Sequence, residues 1–342
     1  MTRRKPPTMG DVAQRAGVTT MTVSRALRPG SPVSKETRAR IIEAANALGY
    51  VLDARAAALS SQRTGFVAVI VPSLNNSNFA DTVRGLSEGL GGSGFQLLIG
   101  YTDYDVAEEE RTVELMLRRR PEALVLTGGV HTERCRTLLR AAALPVVETW
   151  DLPEEPLGHV VGFSNATASQ IMMRHLYGEG FRRVAFIGGD SSRDTRGLDR
   201  RRGYEEAVAA LGIGPPRLIE AGPPPVSVRD GAASFKRLMA NWPDTDAVLC
   251  VSDLSAFGAM SEALRLGLNV PGDVAFAGFG AFDIAEVCYP RMTTTDVGAR
   301  AIGQEAARVV LGAMAKPAPK EAARVEVNID LLVRESTMKL DK

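Results

Sequence analysis

The sequence is poor in the groups that most enzyme and metal chemistry requires. Its 342 residues include three cysteines and three histidines. Cys135, Cys250 and Cys288 lie far apart with no metal-ligand spacing. An odd, sparse count fits reduced thiols in a cytoplasm better than a disulfide framework. His131, His159 and His175 are likewise isolated, so no metal site is read from spacing. There is no G-x-S-x-G nucleophile turn and no G-x-x-x-x-G-K-[ST] phosphate loop. The pairs Gly91-Gly92 and Gly188-Gly189 read as a helix end and a strand-to-helix turn. The chain is therefore not read as an enzyme, and no catalytic residue or cofactor is expected. No apolar run is long enough to cross a bilayer. The opening M-T-R-R-K-P-P-T has no apolar segment behind its basic residues, so it is not read as a secretory signal and a cytoplasmic location is expected.

Net charge is only +1, but it is unevenly placed. Residues 1–63 carry a formal +7 and the remainder −6. A basic front on a mildly acidic body fits a polyanion-binding head joined to a sensor. The front is patterned as three short helices. Thr8 can cap the first, with Asp11 placed for a capping box. Gly17 ends it and permits a sharp turn. Thr19 caps a second helix running to about Leu27, with Val23 and Leu27 facing inward. Ser34 caps a third, whose Ile41, Ile42, Ala45 and Leu48 close a small core before Gly49. This spacing is that of a helix-turn-helix, with Thr20, Met21 and Thr22 at the start of the recognition helix and Arg25 one turn on. Residues 53–60, D-A-R-A-A-A-L-S, have an N-cap and strong helix formers but are too short to be stable alone. They should order only against a partner, with Leu59 as a minor-groove wedge.

From Gly65 the pattern becomes alternating strands and helices. Apolar runs at 66–72, 95–100, 123–127 and 145–149 form one series, and 159–163, 183–189, 247–251 and 274–279 begin a second. Repeated βα units imply parallel sheets covered on both faces, and two series imply two lobes. Ligands in such folds sit at the carboxyl ends of strands and at lobe interfaces.

The head resembles the lactose/galactose-repressor (LacI/GalR) family of transcription regulators. D-V-A-Q-R-A-G-V-T-T-M-T-V-S-R-A-L (11–27), V-S-K-E-T-R (33–38), A-L-G-Y (47–50) and A-A-A-L (56–59) carry the resemblance. It continues through V-R-G-L (83–86), R-R-G-Y (201–204), S-D-L-S-A-F-G-A-M (252–260), L-G-L-N-V-P-G-D-V-A-F-A-G-F (266–279) and V-R-E-S-T (333–337). The fold class it implies is an all-α helix-turn-helix head plus an α/β body, a two-lobed, parallel-sheet core of the type I periplasmic-binding-protein kind. The boundaries expected are a head at 1–52, a hinge helix at 53–63 and an effector-binding and dimerisation core at 64–342. The N-lobe would hold 64–176 and 296–322, and the C-lobe 177–295 and 323–342. By resemblance Thr20, Met21 and Arg25 read bases and Leu59 intercalates at the centre of a near-palindromic operator. Thr8, Thr19, Thr22, Ser24 and Ala56 complete the expected DNA-contacting set. The partners implied are double-stranded operator DNA, a small effector and a second copy of the chain. Only Met338–Lys342 follow V-R-E-S-T, too few for the heptads of a tetramerising coiled coil.

The resemblance also marks an effector site. Arg200 stands three residues before Gly203, where the family keeps a ligand-binding arginine; Arg196 lies one helical turn back. Phe79, His131, Asn165, Ser252 and Asp253 are the other effector candidates. Gly280-Ala281 follows G-F where sugar-binding relatives often carry an acid, and Ser164 stands where they often carry Asp. Fewer carboxylates with the arginine retained favour an anionic ligand. V-E-T-W-D-L (147–152), V-G-F-S-N (161–165), T-x-x-x-H-T (127–132) and G-F-x-x-x-D-I (278–284) resemble the gluconate-utilisation repressor branch. That points to a sugar acid, gluconate or a phosphorylated relative. The alternatives are a neutral sugar, a purine-like or protein co-regulator, or a transport solute-binding protein built on the same body.

Overall fold

In a computed structural model the described residues are 6–27, 32–51, 64–315, 317 and 321–339. The hinge candidates Ala56 and Leu59 lie outside them. Contacts divide the chain into two units, 1–64 and 65–342.

The first unit holds α1 (Met9–Ala16), α2 (Thr20–Ala26) and α3 (Lys35–Leu48). Each begins on a hydroxyl cap. Thr8 Oγ1 accepts from Asp11 N at 3.3 Å while the Asp11 carboxylate accepts from Thr8 N at 2.7 Å, a complete capping box. Thr19 caps α2 through Thr22 N, and Ser34 caps α3 through Thr37 N, both at 3.2 Å. Gly17 and Gly49 close α1 and α3 with φ of 64°, which a side chain resists. Val12, Ala13, Ala16, Val23, Ala26, Ile41, Ala44 and Ala45 form the core. Ile42 is not part of it: the helical repeat from Ile41 passes through Ala44, Ala45 and Leu48, leaving Ile42 44% exposed. Leu27 is only partly buried.

The second unit runs β1 (Phe66–Val71), α4 (Ser77–Gly89), β2 (Gln96–Tyr101), α5 (Val106–Leu117), β3 (Ala123–Thr127), α6 (Glu133–Ala142), β4 (Val146–Thr149) and β5 (His159–Gly162). Then come α7 (Asn165–Gly178), β6 (Val184–Ile187), α8 (Thr195–Leu211), β7 (Arg217–Ile219), α9 (Val228–Asn241), β8 (Ala247–Cys250), α10 (Asp253–Arg265) and β9 (Ala275–Ala277). The chain ends with α11 (Asp283–Val287), β10 (Thr294–Asp296), α12 (Ala299–Ala313), β11 (Arg324–Glu326) and β12 (Asp330–Leu332).

Two parallel sheets result, ordered β11-β5-β4-β3-β1-β2 and β7-β6-β8-β9. The inner strands β1, β3, β6 and β8 are almost wholly buried and apolar because both faces are covered, whereas the edge strands β2, β7 and β11 carry exposed or half-buried positions. In the first sheet Val67, Val69, Val125 and Val147 share one core with α4 and α12, while Ala68, Ile70, Leu124 and Val146 share the other with α5 and α6. Alternation along each strand makes the division. In the second, Phe186 and Leu249 pack with α7 and α8, and Ile187 and Val248 with α9 and α10. Helices α4 and α12 touch closely because a Cβ on Gly85 would sit 2.0 Å from the Arg300 carbonyl oxygen, and one on Gly303 2.0 Å from that of Thr82.

Two expected lobe boundaries move. Met172, Met173 and Leu176 of α7 are buried with Phe186 and Tyr204, so α7 belongs to the C-lobe and the first crossing falls at 163–164. Strand β11 is hydrogen-bonded to β5, so 324–326 belong to the N-lobe sheet and the third crossing follows them, at 327–329. The antiparallel pair β10–β12 joins the second and third crossings.

Candidate effector cleft and DNA-facing helix

The carboxyl ends of both sheets face a shared cleft, as strand-end geometry dictates. It encloses about 170 Å³, below the ~300–1,000 Å³ common for drug-sized ligands. A metabolite of modest size is its natural scale.

Aromatic side chains build the N-lobe wall. Phe79, on the first turn of α4, meets Trp150 edge-on at 5.3 Å and Tyr104 at 6.3 Å. Trp150 follows β4 with φ of 70°, and its Nε1 donates to Thr82 Oγ1 at 3.0 Å. That bond occupies the polar edge of the indole and leaves an apolar surface. Burial raises the Tyr104 phenol above its ordinary value.

Helix α8 supplies the charge from the C-lobe. Asp194 caps it through Gly197 N at 3.0 Å, and Arg196 and Arg200 follow four residues apart on one face. Arg196 Nη1 donates to the Thr127 carbonyl at 3.3 Å, a bond between lobes. Arg200 is buried, stacked 4.3 Å above the Phe279 ring. Its Nη1 donates to Asn165 Oδ1 at 2.6 Å, and Asp194 lies 3.8 Å from Nη2. Arg200 Nε is the one buried side-chain polar atom without a partner among the described residues. Burial pushes the guanidinium below its ordinary value, with the Asp194 charge opposing. A buried donor left unmade costs about 1–3 kcal/mol, more when charged. The cleft thus presents two guanidinium groups against one carboxylate, with a cationic donor unspent.

The candidates distribute unevenly. Phe79, Arg196, Arg200 and Ser252 line the cleft. Asn165 lies behind it, donating to the Trp150 carbonyl at 3.0 Å while it accepts from Arg200. Asp253 is also behind: it accepts from Phe282 N at 2.7 Å and Thr294 Oγ1 at 2.6 Å, tying the 279–282 loop to α10. Burial pushes its carboxyl up to about 6. His131 is elsewhere. Its ring is fully buried on the α5–α6 side of the N-lobe sheet, between Glu109 at 2.5 Å and Glu148 at 3.2 Å. It does not line the cleft, because strand alternation turns Glu148 to the face opposite Val147. Nor are the histidines and cysteines all isolated, since Cys135 stands beside this ring. Sequence reading missed Tyr104 and the wall at 224–227, including Ser227. Tyr104 follows β2, where the strand-end rule names it, and the wall follows β7, whose three residues carry no apolar run to mark it.

In the helical unit the exposed surface of α2 begins at its N-terminus. Thr19, Thr20 and Arg25 are exposed, and Met21 is 63% exposed, while Val23 and Ala26 face the core. Thr22 and Ser24 are half-buried; Thr8 is exposed at the start of α1. An apolar side chain held out on a seven-residue helix, with an exposed arginine one turn on, suits base edges and phosphates.

A family profile for bacterial regulatory proteins, lacI family, matches residues 8–53. One for a periplasmic binding protein-like domain matches residues 173–337. The chain is 37% identical over 331 residues to the HTH-type transcriptional regulator GntR of Pseudomonas aeruginosa, covering 97% of this chain and 96% of that one. A LacI-family transcriptional regulator from Silicibacter pomeroyi superposes with a TM-score of 0.90 at 31% identity, over 98% of this chain and 100% of the other. The transcription regulator GntR from Chromobacterium violaceum gives 0.73 at 34% identity, over 80% and 100%. Among the described residues no helix is long and apolar enough to cross a membrane.

Proposed function

The chain belongs to the LacI family of bacterial transcription regulators, and from that premise we propose that it represses its target genes as a homodimer on a near-palindromic operator, under the control of a sugar acid. The effector is a six-carbon aldonate of the gluconate type. It enters the cleft between the lobes with its carboxylate on Arg200.

The observation that carries this reading is the unpartnered Nε of buried Arg200. A carboxylate offers two acceptors to a guanidinium edge, in the geometry arginine favours. Two guanidinium groups against Asp194 leave one excess positive charge, which matches a monoanion better than a neutral sugar or a phosphate dianion. Phe79 and Trp150 offer apolar surface to the carbon chain, and Asn76, Ser227 and Ser252 offer polar groups to its hydroxyls. Binding there acts on both lobes, since Asn165 and Arg196 already bridge them. The effector then shifts the lobes and with them the grip on DNA. Thr20, Met21 and Arg25 read the bases, and a two-fold dimer matches the symmetry of the half-sites.

Calorimetry on the full chain tests the ligand class. Gluconate should bind stoichiometrically, 6-phosphogluconate more weakly, and glucose, ribose and adenine not measurably. Tight binding of a neutral sugar with none of gluconate would overturn the reading.

A further inference from the structure

We propose that Glu109, His131 and Cys135 form a zinc site inside the N-lobe, with Glu148 orienting the histidine. Nothing in the effector mechanism uses these groups. They come from three elements: Glu109 from α5, His131 from the turn after β3, and Cys135 from the first turn of α6. One donor atom of each lies within 4.8 Å of the others, and all three residues are buried. His131 Nδ1 is 2.5 Å from Glu109 Oε1, and Cys135 Sγ is 3.9 Å from the same oxygen. With Zn–N, Zn–O and Zn–S bonds of about 2.0–2.3 Å, neighbouring ligands on a tetrahedron stand roughly 3.3–3.6 Å apart. The sulfur–oxygen separation is close to that edge. The nitrogen–oxygen pair needs to open by less than about 1 Å.

The surroundings are those of a zinc ligand. His131 Nε2 faces Glu148 Oε1 at 3.2 Å, the carboxylate–histidine arrangement that fixes a ligating imidazole. Glu148 is itself held, its Oε2 accepting from Leu157 N at 2.6 Å. Cys135 N donates to Thr132 Oγ1 at 3.0 Å, the cap that starts α6, which fixes where the sulfur stands. A thiolate, an imidazole and a carboxylate favour zinc over magnesium or calcium, which take oxygen shells. Three protein donors leave a fourth position for water, and a cavity of about 30 Å³ borders Glu109.

The exchange balances. One Zn²⁺ enters. The Cys135 thiol proton and the proton shared between His131 Nδ1 and Glu109 leave to bulk water, so the buried net charge is unchanged. The site would pin the 128–132 turn, which follows the Thr127 carbonyl that receives Arg196.

The test uses untagged full-length protein stripped with a chelator and titrated with Co²⁺, then Zn²⁺. One equivalent of Co²⁺ should bind and produce a thiolate-to-metal charge-transfer band, which Zn²⁺ abolishes with loss of Co²⁺. Proton release should be measurable in weak buffer. Cys135→Ala should lose the band while keeping its helical circular dichroism. Glu148→Gln should keep the band but bind roughly 10- to 100-fold more weakly. Absence of the band in the parent protein, sub-stoichiometric binding, or an unchanged titration in C135A would each overturn the proposal; the parent titration decides even if a variant misfolds.

Discussion

Replacing Arg200 by Met separates ligand recognition from stability. In the free protein this guanidinium is buried, holds one strong bond to Asn165 and leaves Nε unpartnered. Its removal therefore relieves a buried charge and an unmade donor while losing one hydrogen bond, the Asp194 charge 3.8 Å away and the stacking on Phe279. These effects oppose each other, at roughly 1–3 kcal/mol each. The free variant should melt within a few degrees of the parent. Ligand binding has no such compensation. A carboxylate on the guanidinium edge makes two charge-assisted bonds, each worth about 1.5–3 kcal/mol. Their loss totals about 3–6 kcal/mol, or roughly 10²- to 10⁴-fold in Kd. Calorimetry with gluconate measures the second quantity and thermal denaturation the first. Gluconate affinity within threefold of the parent in a folded R200M protein would refute the reasoning.

Three further outcomes follow from other parts of the molecule. The buried Asp253 carboxyl is raised from 3.8 to about 6, so its ionised form opposes folding. Relative to Asp253→Asn, the parent should gain on the order of 3 kcal/mol as pH falls from above 6 to below 4, read by denaturant titration; a pH-independent difference contradicts it. Gly203→Ala places a Cβ 2.2 Å from the Ala166 carbonyl oxygen, so α7 and α8 must part, at about 1–3 kcal/mol of stability by the same assay. Arg25→Ala should weaken operator binding by about 1–3 kcal/mol and random duplex much less, by fluorescence anisotropy; equal losses would show that Arg25 holds phosphate only.

What could be read from the sequence follows how local each signal is. Thr8, Thr19 and Ser34 announce the head helices because a cap is decided within four residues. Strands β1 and β3 of the N-lobe sheet are legible because doubly covered strands are unbroken apolar text, as in Ala123–Thr127, whereas the exposed edge strand β11, R-V-E, has no such run. Strand β7 has only three residues, two of them half-buried, and so carries no comparable run. The helices α9 and α12 were not separately read either, although their apolar positions recur at helical spacing. Within the cleft, Arg196 and Arg200 share a helix face and were found together. Asp253 and His131 stand off the cleft, held by partners remote in sequence: Thr294 is 41 residues from Asp253, and Glu109 is 22 residues from His131. Polar type at a strand end does not reveal whether the side chain turns to the cleft or to its supports.

The coupling between cleft and DNA is measured most directly by operator affinity with and without saturating gluconate, at fixed salt, on a duplex selected by the protein from random sequence. Because binding and release must be linked through the lobes, affinity should change about 5- to 150-fold in the parent and not in R200M. The same operator affinity with and without gluconate, or a full response surviving in R200M, would contradict the account.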